Sequence, residues 1–514
     1  MHRVERRDTQ SAAEAKLPRA GYDVSQFMTV KPPFLDYEPL KRTTSDSAVE
    51  DGAESVFKKP GRFGDADDEW VGAPTPKPQK PALTREDKRD ETATLEPVKE
   101  TWIHKHGHSL SFAGIFLFTA FVFFRPYEFS PSLMWLSSAA FWIAIATLIF
   151  YLLTQLSLEN QFTARPKEVK LVVLLLLTGL LSIPLALEPA KAWDAFVQFF
   201  KVVLIFILMV NVVRTEKRLK ILWVLVLIAT CVLCINAIND YRTGQLALMG
   251  VRIKGSIGGL FDNPNDLALH LVTMFPIALA LSFGSRSLLI KLLYFGTALL
   301  IVGGIVVTFS RGGFLALMFA SCVLVWKLVR NARWLLAPVA AALVVLFVLF
   351  APGNYKQRLS TRDDESAMAR FDDLKRSLFV AARHPILGVG MDNYILFSNA
   401  NKVTHNAYTQ VAAETGAAAL VIYILFMVAP FKGLRKIEQQ SFGNKSERRF
   451  FYAATALQAS LVGYMVASFF ASVAYLWYIY YLVAYAVCLR RLYDSATVEK
   501  EMVTPPNNTL PLQS

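Results

Sequence analysis

The sequence predicts an all-α polytopic membrane protein with about 12 transmembrane helices. Of its 514 residues, 54% are hydrophobic and only 18% are charged, and the mean hydropathy is +0.36. Soluble domains average roughly 45–50% apolar and about 25% charged residues. The apolar residues also form long uninterrupted blocks after about residue 108. These observations exclude a string of soluble domains, which the length alone would suggest.

The first 105 residues differ from the rest and are predicted to form a disordered cytoplasmic tail. Residues 1–100 contain ten prolines, 17 Lys or Arg and 20 Asp or Glu, without sustained apolar periodicity. Such a segment buries too little apolar surface to offset the entropy that it would lose on ordering. Two short clusters, residues 22–28 and 34–40, are candidate docking peptides for a cytoplasmic partner. The alternative is a solvated tail without a specific partner.

Residues 106–490 are predicted to form the transmembrane domain, and residues 491–514 a polar cytoplasmic C-terminal tail. Within the domain, apolar stretches reach the roughly 17–25 residues that a helix needs to cross the bilayer core. The twelve candidate spans lie near residues 108–124, 132–154, 169–187, 196–213, 219–237, 264–284, 288–308, 312–329, 333–352, 408–430, 451–471 and 474–489.

The charges of the connecting loops predict the orientation of these spans. Outside the first 100 residues the chain has 37 basic and 21 acidic residues, so the basic excess belongs to the hydrophobic part. If the N-terminus is inside, the short basic loops all fall on the cytoplasmic side, as the positive-inside rule requires. Both termini are then cytoplasmic. The excess charge indicates contact with anionic lipid and does not imply nucleic acid.

Two outer loops, near residues 238–263 and 353–407, depart from the pattern of short connections. The second is the longest loop of the domain and is predicted to form a subdomain. Both loops carry arginine on the side of the membrane where positive charge is usually depleted. Loop solubility would be served as well by Ser, Asn or Glu, so these arginines indicate a function.

Arg311 is the most informative of the outer arginines. It lies in residues 308–313, a very short connection between two apolar spans. A charge so close to hydrocarbon is costly and indicates a functional site by default. The guanidinium group matches phosphate oxygens bidentately, and the flanking glycines are expected to let a ligand approach closely. The alternative is an interfacial anchor whose side chain extends to the lipid headgroups.

Arg252 precedes a glycine-rich turn that leads into the next predicted helix. Asn263 and Asn265 are both candidates for the N-cap of that helix. A helix N-terminus offers free amides and the positive end of the helix dipole, which suit an anion. For the two asparagines, a purely structural turn is the competing interpretation.

His405 lies where the long outer loop re-enters the membrane. An imidazole accepts a proton near neutral pH and is a candidate general base, although a single histidine is often structural or merely exposed. The sequence contains no Cys/His/carboxylate cluster with metal spacing, no P-loop and no nucleophile elbow. We therefore expect neither a metal nor a cofactor, although carboxylates such as Asp363, Asp364 and Asp392 leave metal binding open.

Three sequence blocks, taken in order, resemble the O-antigen ligase and polymerase superfamily of bacterial envelope glycosyltransferases. The resemblance extends over roughly residues 110–490 and does not include the N-terminal 100 residues. The blocks are GLFDNPNDLA at residues 259–268, FSRGGFLAL at residues 309–317, and a loop block with Arg370, HPILGVG at residues 384–390, HNAY at residues 405–408 and ETG at residues 414–416.

The resemblance implies a fold of the GT-C type and a specific reaction. Members of the family transfer a glycan from an undecaprenyl-pyrophosphate carrier to an acceptor hydroxyl at the periplasmic face of the inner membrane. The loop at residues 353–407 would then be a periplasmic lid, and no metal would be needed.

The resemblance also implies roles for individual residues. Arg252 and Arg311 would grip the pyrophosphate, and His405 would act as the base on the acceptor hydroxyl. Arg370 would be a further phosphate-binding or loop-anchoring residue. The residues expected to support this site are Asn263, Asn265, Ser310 and Asn406.

Several functions remain open at this stage. Within the family, the acceptor is lipid A–core in a ligase, another repeat unit in an O-antigen or exopolysaccharide polymerase, or a protein. A different class is a transporter or flippase for a polysaccharide or lipid-linked glycan, which would place its polar groups near the bilayer midplane. A third is a scaffold with a degenerate site, for which Arg311 and His405 would be dispensable.

Overall fold

A computed structural model of the chain describes six long segments and a few isolated positions between them. Two predictions lie outside the described residues. One is the disorder of the N-terminal tail up to residue 101, and the other is nearly all of the span predicted near residues 333–352. The described residues are 102–129, 131–159, 163–244, 247–248, 252–253, 255, 261, 263–328, 334, 338, 341, 345, 365–398 and 402–503.

The described chain is built almost entirely of helices. In order they are α1 (Trp102–Phe124), α2 (Pro126–Phe129), α3 (Ala139–Glu159), α4 (Lys167–Ser182), α5 (Pro189–Val212), α6 (Glu216–Thr243), α7 (Pro264–Gly284), α8 (Leu288–Val307), α9 (Arg311–Leu328), α10 (Glu365–Arg383), α11 (Ala407–Thr415), α12 (Ala417–Ser441), α13 (Arg448–Ala467) and α14 (Trp477–Val503). Short 3-10 segments cover Pro131–Ser138, Ile183–Leu185, Tyr394–Phe397 and Ser468–Phe470.

The long helices confirm the prediction of a polytopic helical membrane protein. Among the described residues, nine helical segments are long and apolar enough to cross a membrane, and a shorter apolar helix covers His108–Phe124. The total of about twelve spans and the GT-C type stay predictions.

One small sheet accompanies the helices and was not predicted. Strand β1 (Ala247–Leu248) pairs antiparallel with β2 (Arg252–Ile253) in the outer loop after α6. The pairing brings Leu248 opposite Arg252. Two residues per strand are too few for the alternating pattern by which strands are recognised in a sequence.

Helices α7 and α13 form the centre of the bundle. They pack antiparallel, and Ser460 Oγ donates a hydrogen bond of 2.7 Å to the carbonyl oxygen of Thr273. The helices approach so closely at Gly463 that an added Cβ would lie 2.8 Å from Val272 Cγ1. Small residues permit this kind of contact between membrane helices. Because α7 has 21 residues, the pair spans roughly 30 Å and joins the two ends of the bundle.

The apolar stretch predicted as one span near residues 408–430 is two helices. α11 ends at Thr415, and α12 begins at Ala417 after Gly416, whose φ is 91°. An added Cβ at Gly416 would lie 2.2 Å from the carbonyl oxygen of Ile386, and Ala417 N donates to Pro385 O at 2.8 Å. The outer loop therefore packs into the break and separates the two helices.

Buried ion pairs link helices at the end of the bundle where the basic loops lie. Arg490 donates two hydrogen bonds of 2.7 and 2.9 Å to the carboxylate of Glu168, a side chain that is only 1% exposed. Lys327 pairs with Glu438 at 2.5 Å, and Gln458 donates to the same carboxylate oxygen at 3.0 Å. Helix α14 continues past Arg490 to Val503, so the first part of the predicted C-terminal tail is helical.

Candidate active site

A pocket of about 280 Å³ lies at the end of the bundle opposite these ion pairs. Helices α9 and α11 begin beside it and α13 ends beside it. The pocket contains three of the four main residues predicted from the sequence. Its lining residues are Arg311, Arg370, Phe371, Leu374, Thr404, His405, Asn406, Phe469 and Phe470.

The connection that carries Arg311 is held in place by Ser310. The Ser310 hydroxyl accepts a hydrogen bond of 3.1 Å from Gly313 N and so caps α9. The same hydroxyl donates to Asn265 Oδ1 at 2.8 Å. Phe309, the residue just before Ser310, has a φ of 50°, a backbone angle that residues other than glycine rarely adopt. Arg311 is thereby fixed as the first residue of α9, with an exposed side chain at the pocket.

The two glycines after Arg311 do not have the role expected from the sequence. An added Cβ at Gly312 would lie 2.6 Å from the ring of Phe470, and one at Gly313 would lie 2.5 Å from Ala268 Cβ. Both glycines thus allow α9 to pack closely against its neighbours. They do not clear space for a ligand.

Asn263 and Asn265 order the start of α7 next to this connection. Asn263 caps the helix, since its Oδ1 accepts a hydrogen bond of 2.9 Å from Asn265 N. Asn265 Nδ2 donates to the carbonyl oxygen of Phe470 at 3.4 Å, while its Oδ1 accepts from Ser310. Asn265 therefore ties α7 to α9 and to the end of α13. These contacts give both asparagines a structural role, and the support of a ligand site by Asn263 and Asn265 stays a prediction.

His405 sits in a tightly bonded turn before α11. Its φ is 50°, in the left-handed region. Thr404 Oγ1 donates to the carbonyl oxygen of Asn406 at 3.0 Å and bonds the Ser472 hydroxyl at 3.0 Å. Asn406 Oδ1 accepts from Tyr408 N at 2.9 Å and caps α11. The turn holds a half-buried imidazole at the pocket in a backbone conformation that costs on the order of 1–3 kcal/mol.

Arg370 reaches the pocket from α10 in the long outer loop. Phe371 and Leu374 on the same helix also line the pocket. The loop helix thus contributes one cation and two apolar side chains. Arg370 and His405, which are 35 positions apart in sequence, meet at one pocket through the packing of this loop on the bundle.

The pyrophosphate-binding role of Arg252 stays a prediction. The structure places it in β2, but its side chain falls outside the described residues.

The electrostatics of the pocket favour an anion. Two guanidinium groups line it, and helices α9 and α11 begin at it, so the positive ends of two helix dipoles add to their charge. The rest of the lining is mostly apolar, with Leu374 and the rings of Phe469 and Phe470. An imidazole beside such a site is placed to take a proton from a group bound next to the anion.

Glu414 is a residue near this end of the bundle to which sequence reasoning gave no role. It lies near the end of α11, before the first residue of the α12 span, and its side chain is 4% exposed. Its Oε2 has no hydrogen-bond partner among the described residues. Burial and then the charge of Asp392 raise the pKa of Glu414 to about 8, while Gln410 and Lys191 act in the opposite direction. The only signal in the sequence was its membership of the ETG motif.

No pattern in the sequence pointed to two of the pocket residues, Phe469 and Phe470. Both lie at the end of the span predicted near residues 451–471, where an aromatic residue is expected as an ordinary membrane-interface anchor. Phe470 also packs on Gly312 and accepts a hydrogen bond from Asn265 through its carbonyl oxygen. Only the fold shows that these rings form one wall of the pocket.

No group of three or more His, Cys, Asp or Glu side chains in the described part of the chain is arranged to hold a metal ion. Metal independence stays a prediction, as does the absence of a cofactor.

Comparison with known proteins supports the resemblance drawn from the motifs. Residues 296–424 match the family model described as O-antigen ligase. The matched segment runs from within α8 into α12 and includes Arg311, Arg370 and His405. No curated protein matches the chain. The similarity to the O-antigen ligase superfamily is confirmed over this segment.

Proposed function

From the similarity of residues 296–424 to the O-antigen ligase family, we propose that this chain is a glycosyltransferase of the bacterial inner membrane. It moves a glycan from an undecaprenyl-pyrophosphate carrier to an acceptor hydroxyl at the periplasmic face. The observation that carries the proposal is the meeting of Arg311, Arg370 and His405 at one pocket.

The arginines hold the pyrophosphate of the donor. When the bond between the anomeric carbon and the phosphate oxygen breaks, the departing undecaprenyl pyrophosphate keeps the electron pair and gains negative charge. Fixed guanidinium donors stabilise such a leaving group, and removing one comparable donor from an enzyme typically costs about 10²–10³ in rate. We assign Arg311 and Arg370 to this task, with Arg252 as a third candidate.

His405 removes the proton from the acceptor hydroxyl as that oxygen attacks the anomeric carbon. A positioned imidazole typically contributes about 10²–10⁴ in rate as a general base. The backbone of residues 404–406 is bonded on both sides of His405, which supports a fixed position for the imidazole. Asn406 and Ser310 act indirectly, because they cap the helices that present His405 and Arg311.

The orientation of the bundle agrees with a lipid-linked donor. The pocket lies at the end opposite the basic loops, and the positive-inside rule assigns those loops to the cytoplasm. The donor headgroup would therefore be bound at the periplasmic interface while its isoprenoid tail stays in the bilayer. The loop helix α10 would act as part of a lid over the bound donor.

The acceptor separates three versions of this proposal: a ligase to lipid A–core, a polymerase of O-antigen or exopolysaccharide, and an enzyme that modifies protein. All three use the same pyrophosphate site and base. A polymerase extends the glycan into a ladder of repeat lengths, whereas a ligase attaches a finished chain to its acceptor. The pattern of products therefore distinguishes these versions.

Complementation of a strain that lacks this gene tests the proposal. His405→Ala and Arg311→Lys are each expressed at matched membrane levels, and surface and lipid-linked polysaccharide are read on a gel. We expect surface polymer to be lost and the lipid-linked donor to accumulate on the periplasmic side.

Two matched controls lie in the same outer region but do not line the pocket. His384→Ala removes an exposed histidine that packs on Phe397, and Arg383→Lys changes an exposed arginine at the end of α10. Both should leave the polymer normal. Normal polymer from His405→Ala and Arg311→Lys would contradict the proposed site and favour a scaffold. Donor retained on the cytoplasmic side would favour a flippase.

A further inference from the structure

A second and larger pocket lies at the other end of the bundle, far from the candidate active site. Its volume is about 620 Å³, within the range of pockets that bind small molecules. It is lined by the last residues of α7 and the first turns of α6 and α13. Since α7 and α13 run antiparallel through the centre of the bundle, the two pockets lie at their opposite ends, roughly 30 Å apart.

The rim of this pocket is basic. Lys217, Lys220 and Arg449 all line it, and among the described lining residues only Glu216 is acidic. Arg449 and Glu216 form an exposed ion pair of 3.2 Å, which leaves the charges of the two lysines in excess. Both lysine side chains are exposed. The rim therefore presents two cationic groups to an incoming anion.

Below the rim the lining is apolar. Lys217, Lys220 and Trp223 are spaced by three residues and so share one face of α6, with the indole deepest in the membrane. Leu281 on α7 and Phe450 on α13 also line the pocket. The pocket thus has a charged entrance at the membrane surface and an apolar interior at the depth of acyl chains.

Trp223 provides an independent observation. Its side chain is 5% exposed, and its Nε1 has no hydrogen-bond acceptor among the described residues. Buried indole N–H groups usually find a partner, because an unpaired buried donor is costly. The nitrogen is also closed to solvent, so an ester or phosphate oxygen in the pocket would become its acceptor after a small rotation of the indole.

We propose that this pocket binds an anionic phospholipid of the cytoplasmic leaflet. The phosphate lies between Lys217 and Lys220, an oxygen of the glycerol region accepts from Trp223 Nε1, and an acyl chain follows Leu281 and Phe450. Basic pockets between membrane helices on the cytoplasmic side suit such headgroups. The site is separate from the glycosyl-transfer site and does not depend on the function proposed for it.

The binding is measured with the full-length protein in phosphatidylcholine nanodiscs. Phosphatidylglycerol with brominated acyl chains is titrated in, and quenching of tryptophan fluorescence is recorded. Brominated phosphatidylcholine serves as the zwitterionic probe. We expect a saturable component of quenching with phosphatidylglycerol only, and its loss in Trp223→Phe.

The charge requirement is tested with Lys217→Gln/Lys220→Gln. A lysine near the membrane surface contributes roughly a fivefold preference for anionic lipid, so the double variant should bind about 30-fold more weakly. Lys432→Gln/Arg435→Gln is the matched control, since it removes two exposed charges of the predicted cytoplasmic side that do not line this pocket. The control should bind as the wild type does.

Three results would overturn the proposal. Equal quenching by both lipids would show that the pocket does not select an anion. Equal affinity in the lysine variant and its control would remove these lysines from the site. Competition by soluble glycerol 3-phosphate as strong as that by phosphatidylglycerol, or a cross-link from this pocket to residues 1–101, would assign the pocket to a different occupant.

Discussion

At the scale of single residues, His405 combines an unfavourable backbone conformation with a position at the pocket. Its φ of 50° is one that glycine adopts without cost, while other L-residues lose on the order of 1–3 kcal/mol. A residue chosen only for its backbone would therefore be glycine. The histidine at this strained position supports the proposal that the imidazole acts as the base.

The substitution His405→Gly separates these two properties. We expect the variant to be at least as stable as the wild type in thermal unfolding, because glycine relieves the strain. We also expect its glycan transfer to fall by about 10²–10⁴, because the base is missing. A variant that is both stable and active would show that His405 is not the base. His405→Ala, which keeps the strain and lacks the base, is the matched control.

Glu414 is a second residue whose environment predicts a measurable effect. Its pKa is about 8 in the folded protein because of burial and Asp392, against an ordinary value of 4.5. The folded state therefore binds this proton more tightly than the unfolded state does. The resulting contribution to stability is fully present below about pH 4.5 and is lost as the pH rises through about 8.

Thermal unfolding of the detergent-solubilised protein between pH 5.5 and 9 measures this contribution. We expect the unfolding midpoint of the wild type to fall over this range, and the fall to be much smaller in Glu414→Gln. Glu188→Gln removes an exposed carboxyl group and should unfold with the wild-type pH dependence. Identical pH profiles for wild type and Glu414→Gln would contradict the assignment.

At the scale of elements, the outer loop is anchored at the break between α11 and α12. Gly416 forms the break, and residues 385–390 pack on it through Ala417 N to Pro385 O and Gly390 N to Glu414 O. The same loop carries Arg370 toward the pocket. The loop that carries Arg370 is thus anchored to α11 and α12 at Gly416.

Gly416→Ala tests this anchoring. A Cβ at this position would meet the carbonyl oxygen of Ile386 at 2.2 Å, and the φ of 91° disfavours any side chain. We expect the free energy of unfolding to fall by about 1–3 kcal/mol or more. We also expect a lower rate of glycan transfer, because the loop must shift. Gly296→Ala in α8 is the control, since a Cβ there would meet nothing within 4 Å. Equal unfolding midpoints for the two variants would mean that the break is not required.

The same elements show what a sequence can predict here and what it cannot. Helices such as α7 and α8 were predictable because apolar length alone defines a span. The break at Gly416 was not, since the residues on both sides are apolar and the break depends on packing of the outer loop. Arg311 and His405 stood out as polar groups at a membrane edge. Burial of Glu414 and the pocket wall at Phe470 are tertiary properties that no local pattern carries.

At the scale of the whole molecule, the two ends of the bundle have different characters. One end holds the Arg311, Arg370 and His405 pocket, and the other holds the basic loops, the buried Glu168–Arg490 pair and the larger pocket. No Asp, Glu, Lys or Arg occurs in α7, α8 or α9 between their end turns. The charges of these three helices lie at the two ends of the bundle, which suits chemistry on a lipid headgroup better than passage of a charged solute along them.

The most direct test of the proposed site is the initial rate of undecaprenyl-pyrophosphate release by Arg311→Lys in proteoliposomes. The donor is a purified undecaprenyl-pyrophosphate-linked glycan, and the reference is Arg383→Lys. Lysine keeps the charge of residue 311 but cannot form the bidentate contact with phosphate. We predict that the rate of Arg311→Lys is at least about tenfold lower than that of the reference. The decrease could reach about 10²–10³, the usual effect on rate when an enzyme loses one transition-state donor. Equal rates for the two variants would contradict the assignment of this pocket to the pyrophosphate.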